Sequence, residues 1–248
     1  IYRKKTYKKN FFICGLAFGF GFYLCGVSWI TNSLTFDKNF QVFIPFALIL
    51  IPLFLSLFLG FATLLVGRYL KLDFPSILIL SSSLAVSDYL RGHVLTGFPW
   101  NLWSYSTVSM NEVAQIVNHI GLYSYNLLVI TTFFLPVIFF FKISVTRKMI
   151  SLISAFFIIL GLYIFGNYEI NKNKKILKNI GDRIHVKVIS PNFNLEYGLS
   201  AEDIEMRFKK LIRYSDPDKN KNTLFIWPEG VFSGYNYDEI LTFKNLIF

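Results

Sequence analysis

The chain has 248 residues, of which 54% are hydrophobic, 19% are aromatic and only 16% are charged. This composition is far from that of a soluble globular domain and predicts a multi-pass membrane protein. The net charge of +10 could suggest a nucleic-acid partner, but the basic residues flank long apolar tracts and do not form one basic stretch, which argues against nucleic-acid binding.

Five segments are predicted to span a membrane, at about residues 11–32, 42–66, 72–90, 117–141 and 149–167. Four of them lie in tracts of twenty or more residues without Asp, Glu, Lys or Arg, and about 20 apolar residues are enough to cross a hydrocarbon core. The segment at 72–90 has a shorter uncharged stretch, because it contains Asp73 and Asp88. Residues 1–168 are therefore predicted to form a transmembrane bundle, and the lysine-rich residues 169–182 a linker.

The distribution of basic residues predicts the orientation of these spans. Alternate loops contain most of the lysines and arginines of this region, namely Arg3, Lys4, Lys5, Lys8, Lys9, Arg68, Lys71, Lys142, Arg147 and Lys148. The intervening loops are predicted to hold only Lys38 and Arg91. Because cytoplasmic loops are enriched in Lys and Arg, the chain after residue 168 is predicted to lie outside the cytoplasm.

The first span carries a row of small residues, Gly15, Gly19, Gly21 and Gly26, which predicts a face for close packing against another helix. The two cysteines, Cys14 and Cys25, lie on the same helix and cannot pair with each other. We expect both to be small, buried packing residues and not a nucleophile or metal ligands; no metal site is predicted elsewhere either.

An aromatic segment, residues 91–105, follows the third span and contains Phe98, Pro99 and Trp100. Trp and Tyr prefer the level of the lipid headgroups, so this segment is predicted to lie at the membrane surface on the non-cytoplasmic side. It could be an ordinary aromatic belt. It could also contact a lipid substrate, and both readings remain open on composition alone.

The pattern of residues 183–248 indicates the beginning of an α/β domain. Alternation of apolar and polar residues indicates a strand over 183–189, and a second strand is predicted over 223–227. Ser200 precedes an amphipathic helix between them. A strand, helix and strand with short links predict two parallel strands, so Asn192 and Glu229, which follow the strand ends, should lie at one edge of the sheet.

Glu229 is the candidate for a catalytic general base. Pro228 favours an extended Trp227 and a sharp exit from the strand, and aromatic neighbours would raise the affinity of the Glu229 carboxylate for protons. The alternative is a solvated loop carboxylate without a catalytic role.

Four segments of the sequence resemble bacterial apolipoprotein N-acyltransferases, which are membrane enzymes with a nitrilase-like domain. The segments occur in the family's order along the chain, at residues 15–30, 95–101, 120–124 and 225–229. The last of these, Phe-Ile-Trp-Pro-Glu, resembles the motif that supplies the catalytic glutamate in the nitrilase superfamily. The resemblance implies a multi-pass α-helical membrane bundle followed by the start of a nitrilase-like αββα sandwich, truncated here at residues 183–248.

Membership of this family would imply transfer of an acyl chain from a phospholipid to the lipidated N-terminal cysteine of an apolipoprotein, through an enzyme thioester and a Glu-Lys-Cys triad. Glu229 matches the glutamate, and the lysine and cysteine have no counterpart, so we expect a fragment that lacks both ends and is inactive alone. The implied substrate-binding residues are Phe98, Pro99, Trp100, Asn192, Tyr197 and Trp227. No cofactor is implied, and the implied location is the bacterial inner membrane with the catalytic domain in the periplasm.

The sequence departs from the family pattern at two points, since Ser190 stands where a Gln is usual and Gly230 follows the glutamate. Lys244 lies too close to Glu229 to be a convincing triad lysine. A membrane-tethered amidase or nitrilase that acts on a soluble amide would also use Glu229, but it leaves the membrane bundle without a purpose. The third reading is a non-enzymatic membrane protein, either a transporter or a structural protein with a small outside domain. The four long tracts contain none of the charges that transporter sites usually carry.

Overall fold

The computed structural model describes residues 2–95, 97–179, 184–194, 198–218, 221–232 and 234–243, with the side chains of residues 2–8 left out. The chain divides into two compact units. The first is Ile1–Ile176 (hereafter the membrane unit) and the second is Leu177–Phe248 (hereafter the α/β unit).

The membrane unit is helical. Its α-helices are α1 (Tyr2–Val27), α2 (Ile44–Val66), α3 (Phe74–His93), α4 (Asn111–Ala114), α5 (Val117–Ile120), α6 (Leu122–Phe134) and α7 (Val145–Lys178). Short 3₁₀ turns lie between them, at Ser28–Thr35, Lys38–Phe43, Gly67–Tyr69, Trp103–Thr107 and Leu135–Phe140.

Four helical segments of the described residues are long and apolar enough to cross a membrane, namely Lys9–Thr35, Lys38–Tyr69, Leu122–Phe140 and Val145–Lys178. This confirms the predicted class of multi-pass helical membrane protein. The third predicted segment is also a helix, α3, but it is not one of these four. Its apolar character is reduced by serines at 81–83 and by Asp88 and Arg91.

The helix predicted over 117–141 is interrupted. Gly121 has a φ of +78°, which is a conformation that glycine adopts readily, and it separates α5 from α6. Beyond Leu135 the chain continues as a 3₁₀ turn that has Pro136 near its start, where the missing N–H removes a helical hydrogen bond. Differences also occur at the end of α7, because residues 169–178 of the expected linker continue this helix.

Glycines of α1 pack against α2, as predicted. A Cβ at Gly15 would collide with the Thr63 hydroxyl, and a Cβ at Gly19 would lie 3.0 Å from Ser56 Cβ. Gly21 does not share this role, because a Cβ there would meet no described atom within 4 Å. The expectation that Cys14 and Cys25 are buried is wrong, since both are exposed. Each immediately precedes a packed glycine, and one residue turns a helix by about 100°, which moves both off the packed face.

The core of the membrane unit lies where α1, α2, α3 and α6 meet. Its buried side chains are Tyr23, Val27, Leu55, Leu59, Ala62, Leu84, Ala85 and Ile130. This arrangement buries one face of the C-terminal part of α3, and α3 is also the helix that leads into the aromatic segment.

The α/β unit contains β1 (His185–Val188), α8 (Ala201–Ser215), β2 (Thr223–Ile226) and α9 (Tyr237–Leu241). The two strands pair in parallel, with Val186 opposite Leu224, which confirms the predicted βαβ arrangement. Two strands are described in this unit, so the larger nitrilase-like sandwich stays a prediction. Helix α9 ends at Leu241, and residues 244–248 lie outside the described part of the chain.

Helix α8 begins after Ser200, as predicted, with a capping box. The Asp203 N–H donates to Ser200 Oγ at 3.2 Å, and the Ser200 N–H donates to Asp203 Oδ2 at 3.0 Å. The Ser200 hydroxyl also donates to Asp203 Oδ2 at 2.6 Å, and this bond, followed by the one from the Ser200 N–H, lowers the pKa of the Asp203 carboxyl. The apolar face of α8 is buried as predicted, with Ile204, Phe208 and Leu211 at most 2% exposed.

Candidate functional site

Two groups of residues are candidates for function, one in each unit. In the α/β unit, β1 ends at Val188 and β2 ends at Ile226, so the chain leaves both parallel strands at the same edge of the sheet. The Ile189 N–H donates to the Ile226 carbonyl at 2.9 Å, which keeps the two strands together at this edge. Asn192 and Glu229 belong to the loops that follow, and both are exposed.

Glu229 is exposed, so the expected enclosure of its carboxylate by aromatic side chains does not occur within the α/β unit. Trp227 is half-buried and turned toward α8 instead. Its Nε1 donates to Ser215 Oγ at 3.0 Å, and its ring packs edge-on against Phe208 with 5.5 Å between the centroids. Trp227 therefore packs against the core beside Glu229. Gly230, with a φ of +73°, turns the chain directly after the glutamate.

Arg207 of α8 joins the loops that contain Asn192 and Glu229. The side chain is only 7% exposed. Nη2 donates to the Asn194 carbonyl at 3.1 Å, and Nη1 donates to the Val231 carbonyl at 3.3 Å. The guanidinium also lies 5.0 Å from the centre of the Phe193 ring. One buried cation thus holds the backbone of both loops, which makes Arg207 the residue that fixes this edge of the sheet.

The second candidate site surrounds the aromatic segment of the membrane unit. Arg91, predicted to lie in a loop, is in fact within α3 and only 1% exposed. Its Nη1 donates to the carbonyls of Phe98 and Trp100, both at 2.6 Å. In return the Phe98 N–H donates to the Arg91 carbonyl at 2.8 Å. The segment expected at the membrane surface is therefore fastened to the end of α3.

An acidic and an amide side chain complete this arrangement. Arg91 Nη2 forms an ion pair with Asp88 Oδ1 at 3.0 Å, and Asp88 Oδ2 accepts from Asn126 Nδ2 at 2.8 Å. Asn126 of α6 is fully buried, and its Oδ1 accepts from the Ser104 N–H at 2.9 Å. Asp88, Arg91 and Asn126 (hereafter the buried polar network) link α3 and α6 to the middle and to the far end of the aromatic segment.

The predicted substrate-contacting residues of this segment lie at the surface of the membrane unit. Phe98 is half-buried, whereas Pro99 and Trp100 are exposed. The Trp100 ring stacks on Trp29, which follows α1, with 4.8 Å between the centroids. The two indoles are 49% and 47% exposed, so they present a broad aromatic surface.

A cavity of about 500 Å³ lies beside Trp100. Its walls are mostly aromatic and are formed by Phe22, Pro99, Trp100, Asn101, Leu102, Trp103, Tyr105, Ser106 and Phe133. A larger apolar groove of about 890 Å³ runs between α2 and α3 and reaches Val94 and Leu95 next to the same segment. Both spaces fit an apolar chain better than a small polar molecule.

The buried polar network is the feature that sequence reasoning missed. The sequence places Asp88 near the end of the third predicted span and Arg91 in the loop that follows. A linear hydropathy pattern does not show that two charges three residues apart on a helix can pair. The spacing Asp-X-X-Arg at the end of a serine-containing segment was the available signal. Tyr197, one of the predicted site residues, lies outside the described residues, as do Thr96 of the aromatic segment and Lys244.

Comparison with known proteins relates the chain to one family. A family model described as "Apolipoprotein N-acyltransferase N-terminal domain" matches residues 1–135. The chain is 28% identical over 229 residues to an apolipoprotein N-acyltransferase of Rhodopseudomonas palustris, which covers 89% of this chain and 42% of the relative. A protein of the same name from Brucella suis is 28% identical over 222 residues, covering 87% of this chain and 41% of the relative. The chain thus spans about two fifths of the length of these curated relatives.

Proposed function

Because the chain belongs to the apolipoprotein N-acyltransferase family, we propose that it forms part of an enzyme that transfers a fatty acyl chain from a phospholipid to the N-terminal amine of a lipidated apolipoprotein. The observation that carries the proposal is the match of the family model over residues 1–135 of the membrane unit, together with an aromatic segment and an apolar cavity at that unit's surface. A lipid donor suits such a surface, because its acyl chain can remain in an apolar environment.

We assign to Glu229 the role of general base in a nitrilase-like domain. A cysteine thiol would transfer its proton to Glu229, and the thiolate would attack the ester carbonyl of the phospholipid. The lysophospholipid alcohol leaves with that proton, and a thioester remains. The amine of the apolipoprotein then attacks the thioester, forms the amide and returns the proton to sulfur. A lysine and a cysteine for which this sequence has no matching motif complete the triad.

The exposure of Glu229 in the α/β unit bears on this role. A carboxylate at the edge of parallel strands can reach a ligand there, since ligands of open α/β sheets bind beyond the carboxyl ends of the strands. Arg207 holds the two loops that would border such a ligand. Asn192 is proposed as a second polar contact and Trp227 as the packed residue that anchors the Glu229 loop.

We place the α/β unit in the periplasm and the membrane unit in the bacterial inner membrane. The basic loops at 68–71 and 142–148 should share the cytoplasmic side, and this requires two crossings between them, which α3 and α6 supply. Since Arg91 lies within α3 and not in a loop, Lys38 is the single Lys or Arg assigned to the loops on the opposite side. The excess of basic residues in the loops assigned to the cytoplasm is therefore larger than the sequence alone suggested.

The buried charges of α3, a helix outside the four uncharged tracts, also bear on the transporter alternative. Their partners argue for a different role. Asp88 uses both oxygens on Arg91 and Asn126, and Arg91 Nη1 bonds two carbonyls of the aromatic segment, so these groups are engaged with the protein itself. A transport site would leave such groups available to a substrate.

The experiment that tests the proposal uses the intact gene product, purified in detergent, with a long-chain phospholipid and a diacylglyceryl-cysteine peptide. Glu229→Gln keeps the shape of the side chain and removes the base, so formation of the acyl-enzyme, counted by intact mass, should slow by roughly 10²–10⁴-fold. Glu202→Gln, an exposed carboxylate of α8 in the same unit, is the matched control and should react at the wild-type rate.

Two results would contradict the proposal. Wild-type enzyme that hydrolyses a soluble amide but never acquires an acyl chain from phospholipid would favour the amidase alternative. Equal rates for Glu229→Gln and Glu202→Gln would return Glu229 to the status of a solvated loop carboxylate.

A further inference from the structure

The aromatic segment is held in an unusual backbone conformation. Leu95 and Asn101 have φ angles of +61° and +57°, and Gly97 lies between them at +76°. Such angles are unfavourable for residues with side chains and persist where surrounding contacts determine the conformation. The conformation of this segment therefore depends on the contacts that hold it from the membrane unit.

Those contacts come from three helices. Arg91 of α3 binds the Phe98 and Trp100 carbonyls, and Asn126 of α6 binds the Ser104 N–H. On α1, Gly26 is so close to the Asn101 side chain that any Cβ at this position would collide with it. The observed conformation of the segment thus depends on the relative positions of α1, α3 and α6.

Stability alone does not account for the buried polar network. The side chains of Arg91 and Asp88 are 0% and 4% exposed, and a buried ion pair of this kind recovers little more than the cost of its own desolvation. The network is also incompletely satisfied, since Arg91 Nε and the neighbouring Tyr23 hydroxyl have no hydrogen-bond partner among the described residues. Apolar side chains of similar size would fill this space at lower cost, so the polar groups need another explanation.

We propose that Asp88, Arg91 and Asn126 are positioning residues that set the aromatic segment, and with it Trp100, at the mouth of the 500 Å³ cavity so that the acyl chain of the phospholipid can enter. Asp88 orients the guanidinium, Arg91 fixes the two carbonyls on either side of Pro99, and Asn126 fixes the far end of the segment. None of the three touches substrate in this proposal. It rests on the proposed acyl transfer, which supplies the lipid substrate.

The test separates the position of the segment from the fold of the bundle. The double variant Asp88→Leu/Arg91→Met replaces both charges with apolar side chains of similar size, so neither charge is left unpaired. Arg91→Lys keeps the positive charge, but an ammonium cannot reproduce the planar fork that serves two carbonyls and a carboxylate together. Glu169→Gln is the matched control, because Glu169 forms an ion pair with Lys172 at the same i,i+3 spacing, with side chains 17% and 52% exposed.

Two readouts are measured on the intact enzyme. Hydrogen exchange of the peptide at 94–102 reports the segment directly, through the Phe98 N–H that bonds to the Arg91 carbonyl. Acyl-enzyme formation is followed with a long-chain phospholipid and, separately, with a water-soluble short-chain ester. We expect the double variant and Arg91→Lys to exchange faster at 94–102, while α2 and α6 keep their protection. The KM for phospholipid should rise roughly 10- to 100-fold in both, with little change for the short-chain ester.

The possible failures are distinguishable. Wild-type exchange at 94–102 and wild-type KM in Arg91→Lys would overturn the proposal, whatever happens to the double variant. A double variant that unfolds leaves Arg91→Lys to decide by the same two measurements. Equal losses for both donors would overturn it as well, since they indicate general damage. Absence of acyl transfer in the wild-type enzyme would refute the proposed function instead, and the exchange measurement would still show whether the network holds the segment.

Discussion

Substitution of Arg207 by methionine should loosen the loops beside Glu229 without unfolding α8. Methionine retains an apolar stem of similar length and removes the guanidinium, so packing of the stem is largely kept. The variant loses the hydrogen bonds to the Asn194 and Val231 carbonyls. It also loses the contact with the Phe193 ring.

The size of the effect follows from these bonds. Hydrogen bonds from a charged donor contribute about 1.5–3 kcal/mol each. The two N···O distances, 3.1 and 3.3 Å, are long, so the lower end of that range applies to each. The sum is about 3 kcal/mol, which corresponds to a rise of roughly a hundredfold in the opening equilibrium of the two loops.

Hydrogen exchange followed by mass spectrometry measures this equilibrium on the intact protein. The peptides at 189–194 and 227–232 cover the two loops and should exchange about a hundredfold faster in Arg207→Met, whereas the middle of α8 should change much less. Acyl transfer should fall in parallel, because the Glu229 loop is no longer fixed. Arg213→Met removes an exposed arginine from the same helix and is the control.

Two results would refute this reasoning. Equal exchange in Arg207→Met and Arg213→Met would show that the buried guanidinium does not hold the loops. Uniformly faster exchange over the whole α/β unit would show that Arg207 supports the fold and has no particular effect on the edge of the sheet.

Three further predictions follow from the backbone and from the helix cap. Gly121→Ala should destabilise the membrane unit by about 1 kcal/mol, since alanine disfavours a φ of +78°. Gly161 lies inside α7 with open space around it, so Gly161→Ala should be neutral or stabilising by up to about 1 kcal/mol. Thermal midpoints measured in detergent compare the two variants. Gly15→Leu should separate α1 from α2 and lower the thermal midpoint, whereas Gly21→Leu should be tolerated; equal midpoints would contradict the assigned packing face. Because the pKa of the Asp203 carboxyl is lowered, its hydrogen bonds stabilise α8 at a pH above the ordinary pKa of the carboxyl, and this stabilisation is lost as the pH falls through the lowered pKa. Stability measured against pH should therefore fall more steeply on the acid side in the wild-type protein than in Asp203→Asn. Identical curves for the two proteins would refute this prediction.

The parts of the fold that could be predicted are those that repeat along the chain. Long uncharged tracts indicated the membrane helices, and the period of apolar residues indicated α8. The parallel pairing of β1 and β2 followed from the shortness of the links between them. Glycine spacing in α1 predicted a close-packing face, which Gly15 and Gly19 present to α2. Gly21 is uncovered and Gly26 meets Asn101, because periodicity does not show which members of a row are covered, or by what.

The parts that could not be predicted depend on single residues and their partners. The break at Gly121 was hidden in an apolar tract, where glycine is common and most often helical. Arg91 and Arg207 each hold carbonyls that are distant from the helix position that supplies the cation, and such contacts have no linear pattern. The environment of Glu229 was misjudged because the indole of Trp227 turns toward Ser215 on α8.

The charges of α3 have a consequence for how the protein is made. A charged residue costs about 2.5–3.5 kcal/mol at the centre of an inserting helix and less toward its end, where α3 carries Asp88 and Arg91 on a segment already rich in serine. The groups that compensate this cost, Asn126 and the carbonyls of Phe98 and Trp100, all emerge from the ribosome after α3. Stable entry of α3 into the bilayer should therefore wait for α6, so that the two helices insert as a pair and the aromatic segment between them closes last.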